Sequence, residues 1–380
     1  MTEPQTSRAL DRDVFWLLVL AAIAIGLFFL TRNIAAKDRQ LEIHTAATWY
    51  AKGEQQVDSG LTEKAIDSFR KAVANDRENQ KYAFALARAL AAGNHDLEAA
   101  QTVLRLREAD PEDAQINLVL AGLASKRADL TEAIHYYENA IYGRWTGNQV
   151  DKRRRRARIE LIQLLLSHQQ FDRALSELLT LDGDLPDSAE SHVQAGQLFL
   201  QANDPQHALK DFEIALKLDS HDPAALAGAG DAYFELGNYS KARHYLETAV
   251  GQGNESGDVQ EKLSLVKLIF SLDPLGPKLS ARERQQRLKA GYQQAMQRLQ
   301  TCLGQRLTNE QTTNLQNLAT EAVSTQPQFQ LRNIERDPDV VRSGLETIYR
   351  IETATNAACG KAPESDQALL LIASRHDGRQ

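Results

Sequence analysis

The sequence predicts an all-α protein in three parts: one long apolar helix near the N-terminus, an array of helical hairpins, and a small C-terminal helical bundle. Three observations carry this expectation. Ala, Leu, Gln, Glu, Lys and Arg recur throughout the 380 residues while Pro (10) and Gly (21) are sparse, which favours helix nearly everywhere. A run of seventeen uncharged residues, Val14 to Leu30, stands near the start. A 34-residue periodicity then runs through the middle of the chain.

The apolar run would be about 25 Å long as a helix at ~1.5 Å per residue, nearly the thickness of a hydrocarbon core. Trp16 and Arg32 suit the two interfaces, where an indole ring rests and a guanidinium can snorkel. A buried core helix would show polar residues on some face, and none is present. Ala22-Ile23-Ala24 resembles a signal-peptidase site but lies mid-run, so an uncleaved signal anchor over residues 14–31 is expected in preference to a cleaved signal. Arg8 and Arg12 flank one side and Arg32, Lys37 and Arg39 the other, nearly a tie by the positive-inside rule. The expected layout is a tail (1–13), the anchor, a juxtamembrane linker (32–45) and an exported body, periplasmic in a bacterium.

The period appears as a small residue followed by a bulky one four positions on and a small or apolar one three later. The triads are Ala65-Phe69-Ala72, Ala99-Val103-Leu106, Ala133-Tyr137-Ala140, Ala174-Leu178-Leu181, Ala208-Phe212-Ala215 and Ala242-Leu246-Ala249. Their first members lie 34, 34, 41, 34 and 34 residues apart. Twelve residues before each stands Gly53, Ala87, Ala121, Ile162, Gly196 or Gly230, and nine before each stands Gln56, Leu90, Ala124, Leu165, Phe199 or Tyr233. This is the pattern of a helical hairpin. A small residue on the first helix admits the second, whose own alanine sits at the crossing between bulky neighbours. One hairpin cannot bury that face alone, so neighbours must stack.

Over Ala46 to Ser256 the pattern resembles the tetratricopeptide repeat family, with Trp49 at the family's Trp position in the first repeat and Pro111 and Pro186 at its terminal Pro. The resemblance implies a right-handed superhelix of about six repeats over 46–256, whose first helices line a concave groove that receives a protein or peptide. Transferred position by position, the groove residues are Tyr50, Glu54, Phe84, Arg88, Leu118, Ile159, Gln163, Val193, Gln197, Asp231 and Glu235. Tyr50 and Glu54 stand where chaperone-tail-binding members carry Lys and Asn, so capture of a C-terminal carboxylate is not implied. Gln56 and Arg158 depart from the family's usual buried types.

The seven extra residues between the third and fourth repeats place an insertion at 142–154, followed by the basic run Lys152 to Arg158. Consecutive charges point all round a helix, so the run is expected as a solvated helix start, with an anionic surface as the alternative; Trp145 is expected to close the loop. After a flexible break at 251–257 the register vanishes, and 257–380 reads as a capping helix (261–272) and a small bundle. Ser280-Ala-Arg-Glu283 forms a capping box, and further helices are expected near 308–323, 339–358 behind Asp337-Pro338, and 368–372.

Cys302 and Cys359 are the two cysteines, each at the C-terminal end of a helix with one helix between them. An up-down-up arrangement makes the outer helices parallel and brings these ends together, so a disulfide is geometrically open, two unrelated buried thiols being the alternative. Their spacing and the scattered histidines give no zinc or iron–sulphur pattern, and no phosphate loop or catalytic constellation is legible. No cofactor, metal or catalytic residue is therefore expected. The net charge of -7 argues against nucleic acid as a partner. The expected function is a membrane-anchored scaffold for protein–protein interaction, in assembly or maintenance of an envelope complex. A cytoplasm-facing regulatory adaptor and a purely structural envelope component stay open.

Overall fold

The structure, a computed structural model, describes residues 6–337, 339–360 and 362–376, with side chains from Trp16 to Arg375. The side chains of Arg8 and Arg12, and the whole of Pro338, lie outside the described residues. Among the described residues there are eighteen α-helices, one 3-10 turn and no strand. They divide into two compact units, Met1–Leu164 and Leu165–Gln380.

In the first unit, α1 (Thr6–Asp58) is one unbroken helix: the apolar run, the segment 32–45 expected as a linker, and the first helix of the first hairpin are continuous. The reason is local, since neither Gly nor Pro interrupts residues 27–52. Its apolar side chains between Trp16 and Leu30 face outward, and this is a helix long and apolar enough to cross a membrane. Arg39 donates to Asp76 at 2.9 Å, fixing the middle of α1 against the end of α2 (Thr62–Asn75). Two hairpins follow, α3 (Gln80–Ala92) with α4 (Asp96–Ala109) and α5 (Ala114–Lys126) with α6 (Leu130–Tyr142). The helix α7 (Val150–Ser167) crosses the boundary between the units.

The second unit continues with α8 (Phe171–Asp182), α9 (Ala189–Gln201), α10 (Pro205–Leu218), α11 (Pro223–Glu235) and α12 (Tyr239–Gly251). Every leading alanine of the six triads is fully buried. The glycines opposite them explain the close approach. A Cβ on Gly53 would lie 2.5 Å from the Phe69 ring, one on Gly196 2.8 Å from the Phe212 ring, and one on Gly230 2.7 Å from Leu246. Sixteen residues separate each pair, so a bulky second-helix side chain sits over the first-helix position that lacks a side chain.

One repeating device was not legible from apolar periodicity. Each hairpin turn places a residue in the left-handed region: Gly60, Asn94, Ala128, Gln169, Asn203 and Gly237, with φ between 57° and 71°. The same backbone bond closes each turn, from Leu61 N–H to Gln56 O through Asn238 N–H to Tyr233 O, at 2.8 to 3.0 Å. Glycine and asparagine occupy four of the six positions because they tolerate that conformation best. The polar exception Gln56 is also accounted for, since its side-chain oxygen accepts a 2.7 Å hydrogen bond from buried Ser68.

The loop 143–149 is pinned to the third hairpin. Arg144 N–H donates to Glu112 O and Arg144 O accepts from Ala114 N–H, at 2.8 and 3.1 Å. Trp145 is buried beneath it, with the Arg153 guanidinium 5.2 Å from its ring centroid. Arg154 donates to Ile141 O at 3.1 Å, and Arg158 is buried with its guanidinium 6.0 Å from the Tyr142 ring. The basic run is therefore a set of loop anchors as much as a solvated helix start.

Beyond α12 a short turn, in which Asn254 donates to Pro223 O at 3.2 Å, leads into α13 (Gly257–Leu272). The bundle comprises α14 (Ala281–Leu303), α15 (Asn309–Thr325), α16 (Leu331–Arg336), α17 (Asp339–Cys359) and α18 (Glu364–His376). The capping box at Ser280 and Glu283 is present with both of its bonds. The expectation of a single helix between α14 and α17 is corrected: a 3-10 turn over Gln326–Gln328 and α16 also intervene. The reason is Phe329, which leaves the helical path to bury its ring edge-on against Tyr292 at 5.2 Å. One hydrophobic cluster runs without interruption from Leu226 and Tyr233 of α11 through Val266 of α13 to Ile372 of α18.

A close crossing sets the cysteine ends. A Cβ on Gly344 of α17 would lie 2.8 Å from Leu288 of α14, so the two helices touch where glycine stands. Cys302 and Cys359, at the ends of these helices, form a pair at disulfide distance with Cα atoms 5.8 Å apart, inside the range a disulfide requires.

Glu352 of α17 is fully buried and receives the Arg298 guanidinium, which also donates to Asn356 at 2.6 Å. Burial, then the nearby Asp366 carboxylate, push its acid form up to about 7, against the opposing pull of Arg298. Because the folded state holds this proton more tightly than the unfolded chain, stability is greatest below the ordinary glutamate range and falls as pH rises to about 7. A loss of about 1 to 3 kcal/mol between pH 4.5 and 7.5 is expected. Glu352→Gln should flatten that slope, and hydrogen-exchange protection of α14 and α17 measured across this range checks it. An unchanged slope in the variant would place the titrating group elsewhere.

Candidate functional site

The helices that the sequence pattern assigns as groove-lining carry two clusters, one in each unit. In the first unit, the Tyr50 ring of α1 packs tilted against Tyr82 with ring centroids 4.9 Å apart, and the Lys81 ammonium lies 4.7 Å from the Tyr50 ring. Burial, then the Glu54 carboxylate, raise the Tyr50 phenol above its ordinary value. Glu54 and Arg88 share the wall of a 230 Å³ cavity floored by Phe69 and Ala89. The structure thus brings Tyr50, Glu54 and Arg88 together, with Phe84, Leu118 and Ile159 half-buried and Gln163 exposed.

In the second unit, Gln197 is exposed while Val193 is buried, leaving Val193 little surface to offer a ligand. Asp231 and Glu235 of α11 open onto a 730 Å³ groove completed by α13 and the start of α18. Among the described residues that line it, five carboxylates, Asp231, Glu235, Asp258, Glu261 and Glu364, stand with the Lys262 ammonium. That ammonium lies 3.0 Å from Asp231, 3.9 Å from Glu235 and 5.4 Å from the Phe234 ring centroid. Burial raises the Asp231 acid form above the usual carboxylate range despite the opposing Lys262. Phe234 and Leu265 give the groove an apolar floor. A second cavity of 520 Å³ adjoins it, sharing Asp231, Glu235 and Lys262 and reaching Leu200 and Pro205.

Sequence reasoning placed Asp231 and Glu235 here because the repeat pattern reaches α11. It missed Asp258, Glu261, Lys262 and Glu364, which lie beyond the last repeat and join the groove only because α13 and α18 pack on it. It also left His192 among scattered histidines. His192 of α9 is buried, its Nδ1 2.8 Å from Asp211 of α10. Desolvation, opposed by the bond from His192, moves Asp211 up to about 6.

Stacked two-helix units of this geometry make the chain a helical-repeat protein. The repeats are tetratricopeptide repeats: a family profile of that description matches residues 50–114 and 193–257. Among curated proteins, the chain is 28% identical over 158 residues to anaphase-promoting complex subunit 3 of Schizosaccharomyces pombe, covering 41% of this chain and 23% of that one. It is 34% identical over 99 residues to cellulose synthase operon protein C of Komagataeibacter xylinus, covering 26% of this chain and 8% of that one. The chain therefore spans less than a quarter of the length of these relatives. Solved structures similar to it include YrrB, a TPR protein with an unusual peptide-binding site (19% identity, 51% of this chain and 97% of that one, TM-score 0.41). PilW, a type IV pilus biogenesis factor, is another (15% identity, 57% and 96%, TM-score 0.43).

Proposed function

We propose that the protein is a membrane-anchored tetratricopeptide-repeat scaffold that holds an extended segment of a partner protein against the first helices of its repeats, within an envelope complex. In this reading residues 14–31 span the membrane, 46–256 form the repeat array, 257–380 cap it, and the body lies outside the cytoplasm. The fully outward apolar face of α1 supports the anchor, and the cysteine pair supports an oxidising compartment. The groove at Asp231 and Glu235 carries the proposal of a binding surface. Its carboxylates over an apolar floor suit a segment bearing Lys or Arg beside apolar residues, whose charges would replace the Lys262 ammonium.

Reversing Asp231 and Glu235 together to lysine is expected to weaken capture at least tenfold while leaving helicity unchanged, because Glu235 is exposed and Asp231 half-exposed. A photo-crosslinking residue at Phe234, used in membranes, reads the result directly. The adduct should disappear in the Asp231→Lys, Glu235→Lys variant and persist with Phe84→Ala if the two clusters act separately. An undiminished adduct in the charge-reversed protein would remove the groove from the binding surface.

A further inference from the structure

The side chains Asp182, His192 and Asp211 converge away from the acidic groove and play no part in the scaffold reading. Asp182 closes α8, His192 lies early in α9, and Asp211 is mid-way along α10. One donor atom from each lies within 4.8 Å of the others. Donors around a single zinc ion stand roughly 3.2 to 3.6 Å apart, given zinc–ligand bonds of ~2.0 to 2.2 Å, so side-chain shifts of about an ångström would close the set.

A second observation points to a ligand. Asp211 is 1% exposed, and while its Oδ1 meets His192 Nδ1 at 2.8 Å, its Oδ2 is buried with no hydrogen-bond partner. A buried carboxylate oxygen left unpaired is expensive, and a buried carboxylate beside a second one more so. The neighbouring cation is the Lys210 ammonium, 3.0 Å from Asp182 Oδ2 on a side chain 59% exposed. It satisfies the outer carboxylate and can swing away, but no bond from it reaches Asp211 Oδ2.

We propose that Asp182, His192 and Asp211 bind one zinc ion, which joins the end of α8 to the α9–α10 hairpin. The imidazole selects zinc over magnesium or calcium, which take oxygen ligands. Asp182, half-buried, leaves room for water in the fourth position. Zinc takes the imidazole in its neutral form and the carboxylates ionised, so the His192–Asp211 hydrogen bond is given up and any further proton held by the pair leaves to solvent. The ion would act as a staple between successive repeats, independent of what occupies the groove.

The test is a calorimetric titration of the full chain in detergent micelles, stripped with a chelator and then given zinc alone. One ion per chain at micromolar affinity or tighter is expected, with a raised thermal midpoint that chelator reverses. Asp182→Asn and His192→Gln should each weaken binding at least tenfold. Asp182 sits at a helix end, so its variant decides the matter if the buried histidine variant fails to fold. His207→Gln removes the neighbouring His207–Asp204 pair and should leave the titration unchanged. Absence of uptake at 100-fold molar excess, or equal uptake by the wild-type and Asp182→Asn proteins, overturns the site.

Discussion

Replacing Cys302 and Cys359 together with alanine is expected to lower the stability of the C-terminal bundle by up to about 4 kcal/mol in oxidised protein. The figure comes from chain entropy: a bond closing a loop of 57 residues removes that much freedom from the unfolded ensemble, less any strain in the folded one. The effect should not stop at the bundle's edge. Because one hydrophobic cluster joins α11, α13 and α14 to α18, loosening the bundle should also expose α13, and hydrogen exchange should rise from about residue 257 onward. The first repeats, in the other unit, should keep their protection. Thiol labelling of oxidised, denatured protein checks the premise first: two reactive thiols would mean no bond, no such stabilisation and no support from the cysteines for an exported body.

The second large effect is centred on Phe212. Its ring, fully buried, lies between Gly196 of α9 and Gly228 of α11, so a single side chain serves its own hairpin and the stacking of the next. Phe212→Ala is expected to cost about 3 to 5 kcal/mol, the transfer loss plus the cavity left behind. Gly228→Ala approaches the same site from the other side, since a Cβ there would overlap the ring, and should cost about 1 to 3 kcal/mol by overpacking. Combining Gly228→Ala with Phe212→Leu should cost less than the two changes added, because the smaller side chain makes room for the new methyl. Gly122→Ala in α5 is the control. Nothing lies within 4 Å of its added Cβ, so it should stabilise by about 0.5 to 1 kcal/mol through helix propensity. Chemical denaturation of the five variants, Phe212→Leu alone included, measures all of this, and strict additivity at Gly228 and Phe212 would contradict the shared packing site.

Much of this architecture was legible in the chain because the hairpin repeat is a short-range device. The small–bulky–small triads encode helix crossings within some 35 residues, and the crossing geometry follows from side-chain size alone, as Gly53 with Phe69 and Gly196 with Phe212 show. Helix continuity is equally local, and the segment 32–45, expected as a juxtamembrane linker, is helical throughout. A loss of apolar character does not end a helix when Gly and Pro are missing. The left-handed turn residues were present in the sequence at the same spacing as the triads. Their mixed identities, Gly, Asn, Ala and Gln, hide a conformation that the backbone imposes.

What the sequence by itself determined was the helical class, the six hairpins, the buried face of each and an apolar stretch long enough to cross a membrane, all properties of residue type at fixed spacing. Tertiary structure decided which distant side chains meet. Phe329 interrupts the path between α14 and α17 to reach Tyr292. Lys262 and Glu364, from helices outside any repeat, complete the groove begun by Asp231 and Glu235. Asp182, His192 and Asp211 come from three helices to within 4.8 Å of one another. The physical reason is the range of the interactions. Helix formation and hairpin packing are fixed by neighbours along the chain, whereas a groove or a cluster of titratable side chains depends on how successive helices stack, which no local pattern records.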